Sequence, residues 1–201
     1  MMSVGEGLVS SFRSNRWRSW RVAVPAAACL LLAGQALAQR PNYLLFTDPG
    51  RRFSVEFPKE WTWLMVSGSG EPLVTFIHPR KEAAVVVERF RMRQPLTRDE
   101  VTDLFAQIEA EVLKENQPQA MDVVSKIVNE QGKKRIVIDY VRPGIDTKER
   151  VRQYSIPVGQ DLYRITCMTI GGQFGKYEPT FAVVVESLKP AGELPPRPRA
   201  H

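Results

Sequence analysis

From Phe53 onward the chain is a succession of short strand-like runs, interrupted once in the middle and once near the end by segments of helical period. Phe53, Val55 and Phe57 alternate with Arg52, Ser54 and Glu56, the two-residue period of a strand with one face in a core, and Pro58 closes the run. Trp61 to Val66, Leu73 to Ile77 and Ala83 to Met92 read as further strands, divided by Ser67-Gly68-Ser69-Gly70 and Pro79-Arg80-Lys81. Three more follow the first helix: Lys133 to Val141, Arg150 to Val158 and Leu162 to Ile170, with turns at Pro143-Gly144 and Gly159-Gln160-Asp161. Short strands joined by tight turns pair antiparallel.

The spacing predicts a helix after Thr97, which can cap free backbone N–H groups while Glu100, three residues on, completes a capping box. Val101, Leu104, Phe105, Ile108 and Val112 fall on one stripe, the expected buried seam, and Asn116 to Gln119 ends the helix. Gly171-Gly172 breaks the last strand, and Phe174, Tyr177, Phe181, Val184 and Leu188 then recur at helical spacing. Pro179 has no N–H to give to a helix interior, so it is expected in the first turn. Val85-Val86-Val87 and Ile136-Val137-Ile138 are apolar without alternation, so both sheet faces should be covered at the centre. The fold class is therefore α+β, a central antiparallel sheet flanked by helices.

Residues 1–38 read as an export signal. Arg13, Arg16, Arg18 and Arg21 form a basic region, Val22 to Leu32 is apolar, and Ala36-Leu37-Ala38 offers the small-x-small pattern of a cleavage site before Gln39. The apolar run is short for a membrane span of about 20 residues. The expectation is an exported protein, periplasmic or secreted, with no transmembrane segment in the mature chain. Residues 39–189 form one domain, and the proline-rich segment 190–201 is a disordered tail. Removing the tag leaves 24 basic and 21 acidic residues, a net charge of +3, too small to argue for nucleic acid. Cys167 is then the one cysteine, so no internal disulfide can form; Leu30-Leu31-Leu32 continue the apolar run past Cys29, which argues against lipid attachment there.

A resemblance accompanies this order of segments. Phe53-Ser54-Val55-Glu56-Phe57-Pro58-Lys59-Glu60-Trp61 near the start is one mark. Leu162-Tyr163-Arg164-Ile165-Thr166, Phe174-Gly175-Lys176-Tyr177-Glu178-Pro179-Thr180-Phe181 and Glu186-Ser187-Leu188 are the others. With these the stretch from Tyr43 to Leu188 resembles the PsbP-like family, which includes the extrinsic photosystem II subunit, the DcrB-type envelope proteins and the Ran-release factor. The resemblance implies an antiparallel sheet sandwiched by helices and a protein that binds and assists rather than catalyses. The matching motifs are a strand-closing proline, core aromatics and a helix seam, so the resemblance assigns no functional residue.

Candidate chemistry is sparse. His78 and His201 are the two histidines, too few and too far apart for a paired metal site. Cys167 shares a strand face with Tyr163 and Ile165 and reads as a small buried hydrophobe. Ser67 and Ser69 lack the strand-to-helix elbow of a nucleophilic serine. Asp139, Asp146, Glu149 and Asp161 are expected to cluster around one strand turn and offer oxygen ligands for a hard cation such as calcium, though without loop spacing. No cofactor is expected. Trp61 and Trp63 point the same way, with Trp61 expected in the core.

The binding candidates are arginines. Arg89, Arg91 and Arg93 project from one side of a strand and Arg150 and Arg152 from one side of another; if those strands are neighbours, a guanidinium patch results. Such a patch would suit an anionic surface or an acidic partner, while the plain alternative is a charged sheet edge that prevents association. The sequence thus points to a non-enzymatic accessory or adaptor that docks on an envelope protein complex. A small-ligand carrier, needing an apolar pocket between sheet and helix, a periplasmic cation-binding protein and an enzyme are the alternatives.

Overall fold

The computed structural model describes residues 40–66, 73–96, 100–130, 133–144 and 147–194. The cleavage residues Ala36, Ala38 and Gln39, the Ser67 and Ser69 loop, Thr97, Asp146 and His201 lie outside them. Strands β1 (Tyr43–Thr47), β2 (Phe53–Pro58), β3 (Thr62–Val66), β4 (Leu73–Ile77) and β5 (Ala83–Arg91) precede helix α1 (Asp103–Asn116). Then come β6 (Met121–Glu130), β7 (Lys133–Pro143), β8 (Lys148–Val158), β9 (Asp161–Ile170), helix α2 (Phe174–Glu186) and the two-residue β10 (Lys189–Pro190). Seven strands form one antiparallel sheet in the order β3-β4-β5-β9-β8-β7-β6, and β1-β2-β10 form a second. The fold is α+β, as expected.

One face of the large sheet is covered by α2 and the small sheet. Val85, Val87, Tyr163, Ile165 and Cys167 meet Phe53, Val55 and Phe57 of β2 and Tyr177, Phe181 and Val184 of α2 in one core. The other face carries α1, whose Ala106, Ala110 and Leu113 pack with Ile136, Ile138, Tyr140 and Val151. Central strands are thus buried on both sides, which is why their runs are apolar without alternation. Gly159, at φ +59°, makes the two-residue turn of the β8–β9 hairpin, a left-handed conformation that glycine enters without a Cβ penalty.

Several details differ from the sequence reading. Helix α1 starts later than Thr97: Thr102 is its N-cap, with Oγ1 accepting from the Phe105 N–H at 3.4 Å. Its buried seam is also rotated. Leu104, Ile108 and Val112 are 65%, 50% and 40% exposed, because Ala106 and Ala110 let the helix approach the sheet closely. Pro179 sits in the second turn of α2, where the missing N–H costs one bond to Gly175. Pro190, the first residue of the segment expected as a tail, is buried and pairs with Phe53. Strands β1 and β6 carry too little alternation to be read ahead of the fold; β6 is an edge strand whose Val124 is 60% exposed.

Candidate functional site

Arg89 and Arg91 on β5 and Arg150 and Arg152 on β8 do occupy one face of the sheet, the face that also carries α2. The register shows it: Arg89 lies opposite Tyr163, and Arg152 opposite Cys167, both on the same side of β9. The strands are not neighbours, however; β9 runs between them. The four-residue step from Tyr163 to Cys167 further separates the two arginine pairs by roughly 13 Å along the strand. Arg93 lies beyond the end of β5, exposed in a bend. The five arginines therefore form two clusters at opposite ends of the face.

At the first end, the Arg89 Nη2 donates to Asp161 Oδ1 at 2.7 Å, and Arg91 Nη2 to Gln160 Oε1 at 3.2 Å, both acceptors belonging to the β8–β9 hairpin. At the second end, Arg150 and Arg152 stand over the Phe174 ring, with guanidinium carbons 5.5 and 4.9 Å from its centroid. Arg152 also donates to Asp139 Oδ1 at 2.7 Å and to Glu178 Oε1 at 2.6 Å. Burial works against the Arg152 charge, and these two carboxylates more than offset it. Arg89 and Arg152 are thus engaged inward, whereas Arg91, Arg93 and Arg150 present exposed side chains.

The carboxylates singled out from the sequence do not converge. Asp139 pairs with Arg152, Glu149 with Arg142 and Asp161 with Arg89, each at 2.7 Å and on different parts of the sheet. Among the described residues no group of three His, Cys, Asp or Glu side chains is arranged to hold a metal ion. Cys167 is completely buried, and that burial pushes its thiol well up, away from the reactive thiolate. Trp61 is 5% exposed and in the core, while Trp63 is 52% exposed with its ring against Phe46.

His78 belongs to a cluster that sequence spacing does not reveal. Its Nε2 lies 3.4 Å from the Tyr177 hydroxyl, which donates to Glu82 Oε2 at 2.6 Å, and Lys176 Nζ donates to the same oxygen at 2.8 Å. These bonds tie the start of α2 to the β4–β5 turn, and Trp61 closes the cluster with its ring against both His78 and Tyr177. Sequence reasoning also passed over Lys133, Lys134 and Arg135. Three adjacent cations before an apolar strand look like a solvated strand start, and only the topology places them beside α2.

No family model matches the chain, and no curated protein does. Among solved structures the chain is similar to cyanobacterial PsbP of Synechocystis sp. PCC 6803, with TM-score 0.57 and 13% identity over 74% of this chain and 92% of that one. A protein of Bacteroides thetaiotaomicron matches with TM-score 0.54 and 14% identity over 74% of this chain, which spans 48% of that protein's length. LpqN of Mycobacterium tuberculosis, described as involved in cell envelope biogenesis, matches with TM-score 0.46 and 11% identity over 73% of this chain and 89% of that one. The fold is PsbP-like. No helix among the described residues is long and apolar enough to cross a membrane.

Proposed function

We propose that the chain is an exported, non-catalytic accessory protein of the cell envelope, docking on an acidic surface of a protein complex through its exposed arginines. The observation that carries this reading is the division of labour among the arginines of one sheet face. Arg89 and Arg152 are held by carboxylates at 2.7 Å, while Arg91, Arg93 and Arg150 extend outward at the two ends. Exposed guanidinium forks give directional, bidentate contacts to carboxylates, which is the chemistry an acidic partner surface would meet. Export is supported by the basic, apolar and small-residue pattern of residues 1–38.

The test is affinity capture from envelope extract with wild type and with Arg91→Glu/Arg93→Glu/Arg150→Glu. Loss of a specific partner from the variant is the expected result, and identical partner sets refute the arginine contact. Fractionation with N-terminal sequencing checks export, the expected mature chain beginning at Gln39.

A further inference from the structure

Strands β7 and β8 stop pairing before either strand ends. Their last pair is Ile136 with Ser155, yet β7 continues back to Lys133 on β6 and β8 continues to Val158 on β9. Pro157 has no N–H to offer β7 at this point, so the ladder cannot simply extend. The parted strands open a cavity of about 300 Å³ under the end of α2. Val101, Ile156, Val158, Val185 and Leu188 give it apolar walls, and Lys133, Lys134 and Arg135 also line it, Lys134 Nζ donating to the Val101 carbonyl at 3.4 Å. Glu186 and Glu193 also border it, both exposed.

Arg135 is the anomaly. The residue is 8% exposed, and among the described residues its buried Nε has no hydrogen-bond partner and its guanidinium meets one carboxylate, Glu130, at 3.5 Å. That carboxylate is itself 56% exposed and a weak counter-charge. Elsewhere in the same sheet Arg142 and Arg152 each hold a carboxylate at 2.7 Å. Arg164, whose Nε is also unmatched, has Glu109 at 3.3 Å and lies over the Phe90 ring. A buried guanidinium with an idle donor is costly unless an acceptor arrives from outside. Arg135 also lines a second space of about 230 Å³ between α2 and β6–β8.

We infer that this cavity binds a medium-chain alkyl carboxylate, its tail between the parted strands and its carboxylate on Arg135. An acyl carboxylate supplies both things the site lacks, an anionic acceptor for the idle donor and apolar volume for the gap. A water occupies about 30 Å³ and a methylene comparable space, so the cavity takes on the order of ten heavy atoms. This site is independent of the docking proposed above, because none of its lining residues belongs to the arginine clusters of that surface.

The test is calorimetric titration of the purified protein with sodium decanoate below its micellar concentration. Decanol, acetate and decyl phosphate are run alongside, on wild type, Arg135→Met and Val158→Trp. Decanoate should bind one-to-one, at least tenfold more tightly than decanol or acetate. Arg135→Met should weaken it at least tenfold, and Val158→Trp, which narrows the cavity from an exposed wall, should weaken it likewise. Without ligand, Arg135→Met should melt no lower than wild type, since it removes a buried charge whose one carboxylate is weak and exposed; a purely structural arginine would lower the melting temperature. Absence of saturable decanoate binding, equal affinity for decanol, or unchanged affinity in both variants overturns the assignment. Decyl phosphate binding more than tenfold tighter than decanoate overturns the carboxylate headgroup.

Discussion

Arg152 and Asp139 face each other directly across the β7–β8 ladder, with Arg152 Nε donating to Asp139 Oδ1 at 2.7 Å. Both side chains are mostly buried, 17% and 22% exposed, and Arg152 adds a second bond to Glu178 of α2 and a place over Phe174. A residue that looked like part of an open patch is therefore a rivet between strand and helix. Arg152→Ala should destabilise the fold by about 1–3 kcal/mol, chiefly because Asp139 is left mostly buried without its partner. Arg152→Met with Asp139→Leu should recover most of that loss. Urea denaturation of the single and double variants decides it; additive losses would mean that the pair is not coupled.

The Glu82 carboxyl is held down at about 2, against an ordinary 4.5, by hydrogen bonds from Lys176 and then Tyr177, with the Arg80 charge assisting. Its folded value lies below its unfolded one, so its stabilising contribution is complete above about 4.5 and is lost as pH falls toward 2. Glu82→Gln should melt below wild type at neutral pH, and the gap should close through that acid window. Thermal melts across the range provide the check, and a gap that does not change with pH would contradict the linkage.

Cys167 should resist thiol reagents in the native protein at neutral pH and react when denaturant opens the core, because its side chain is fully buried and burial disfavours the thiolate. Cys167→Ser should cost roughly 1–3 kcal/mol by placing a hydroxyl in the same apolar setting. Labelling rates measured against urea concentration test the first statement, and equilibrium unfolding tests the second.

The two stripes of α1 should respond in opposite ways. Leu113→Ala removes a side chain 6% exposed and should cost about 2–5 kcal/mol. Gln at Leu104, Ile108 or Val112 should change stability by about 0.5 kcal/mol or less, since those side chains project into solvent. Chemical denaturation of each variant distinguishes this seam from the one that hydrophobic spacing alone would select.

Local pattern was enough for β2, β4, β5 and β7–β9, where alternation, unbroken apolar runs and turn residues all reflect the chain's own periodicity. The existence of α1 and α2 was legible for the same reason. The α1 seam was not: Leu104, Ile108 and Val112 outscore Ala106 and Ala110 on hydrophobicity, but the sheet accepts a close-packed small-residue face, a steric condition set by the partner strands. Strand β6, short of a buried face at the sheet edge, leaves almost no periodic trace.

Long-range placement was beyond the reach of any local reading. Sequence alone established that arginines alternate along two strands; whether they merge depended on β9 entering between β5 and β8, a pairing across more than seventy residues. The same insertion gives Arg89 its carboxylate partner Asp161, while Arg152 takes Asp139 from β7 and Glu178 from α2. Toward the opposite edge, the parting of β7 from β8 leaves Arg135 buried beside a cavity with apolar walls and a charged rim. Period and composition are properties of neighbours in the chain, whereas burial, charge pairing and cavities arise from neighbours in space, and those exist only once the strand order is set.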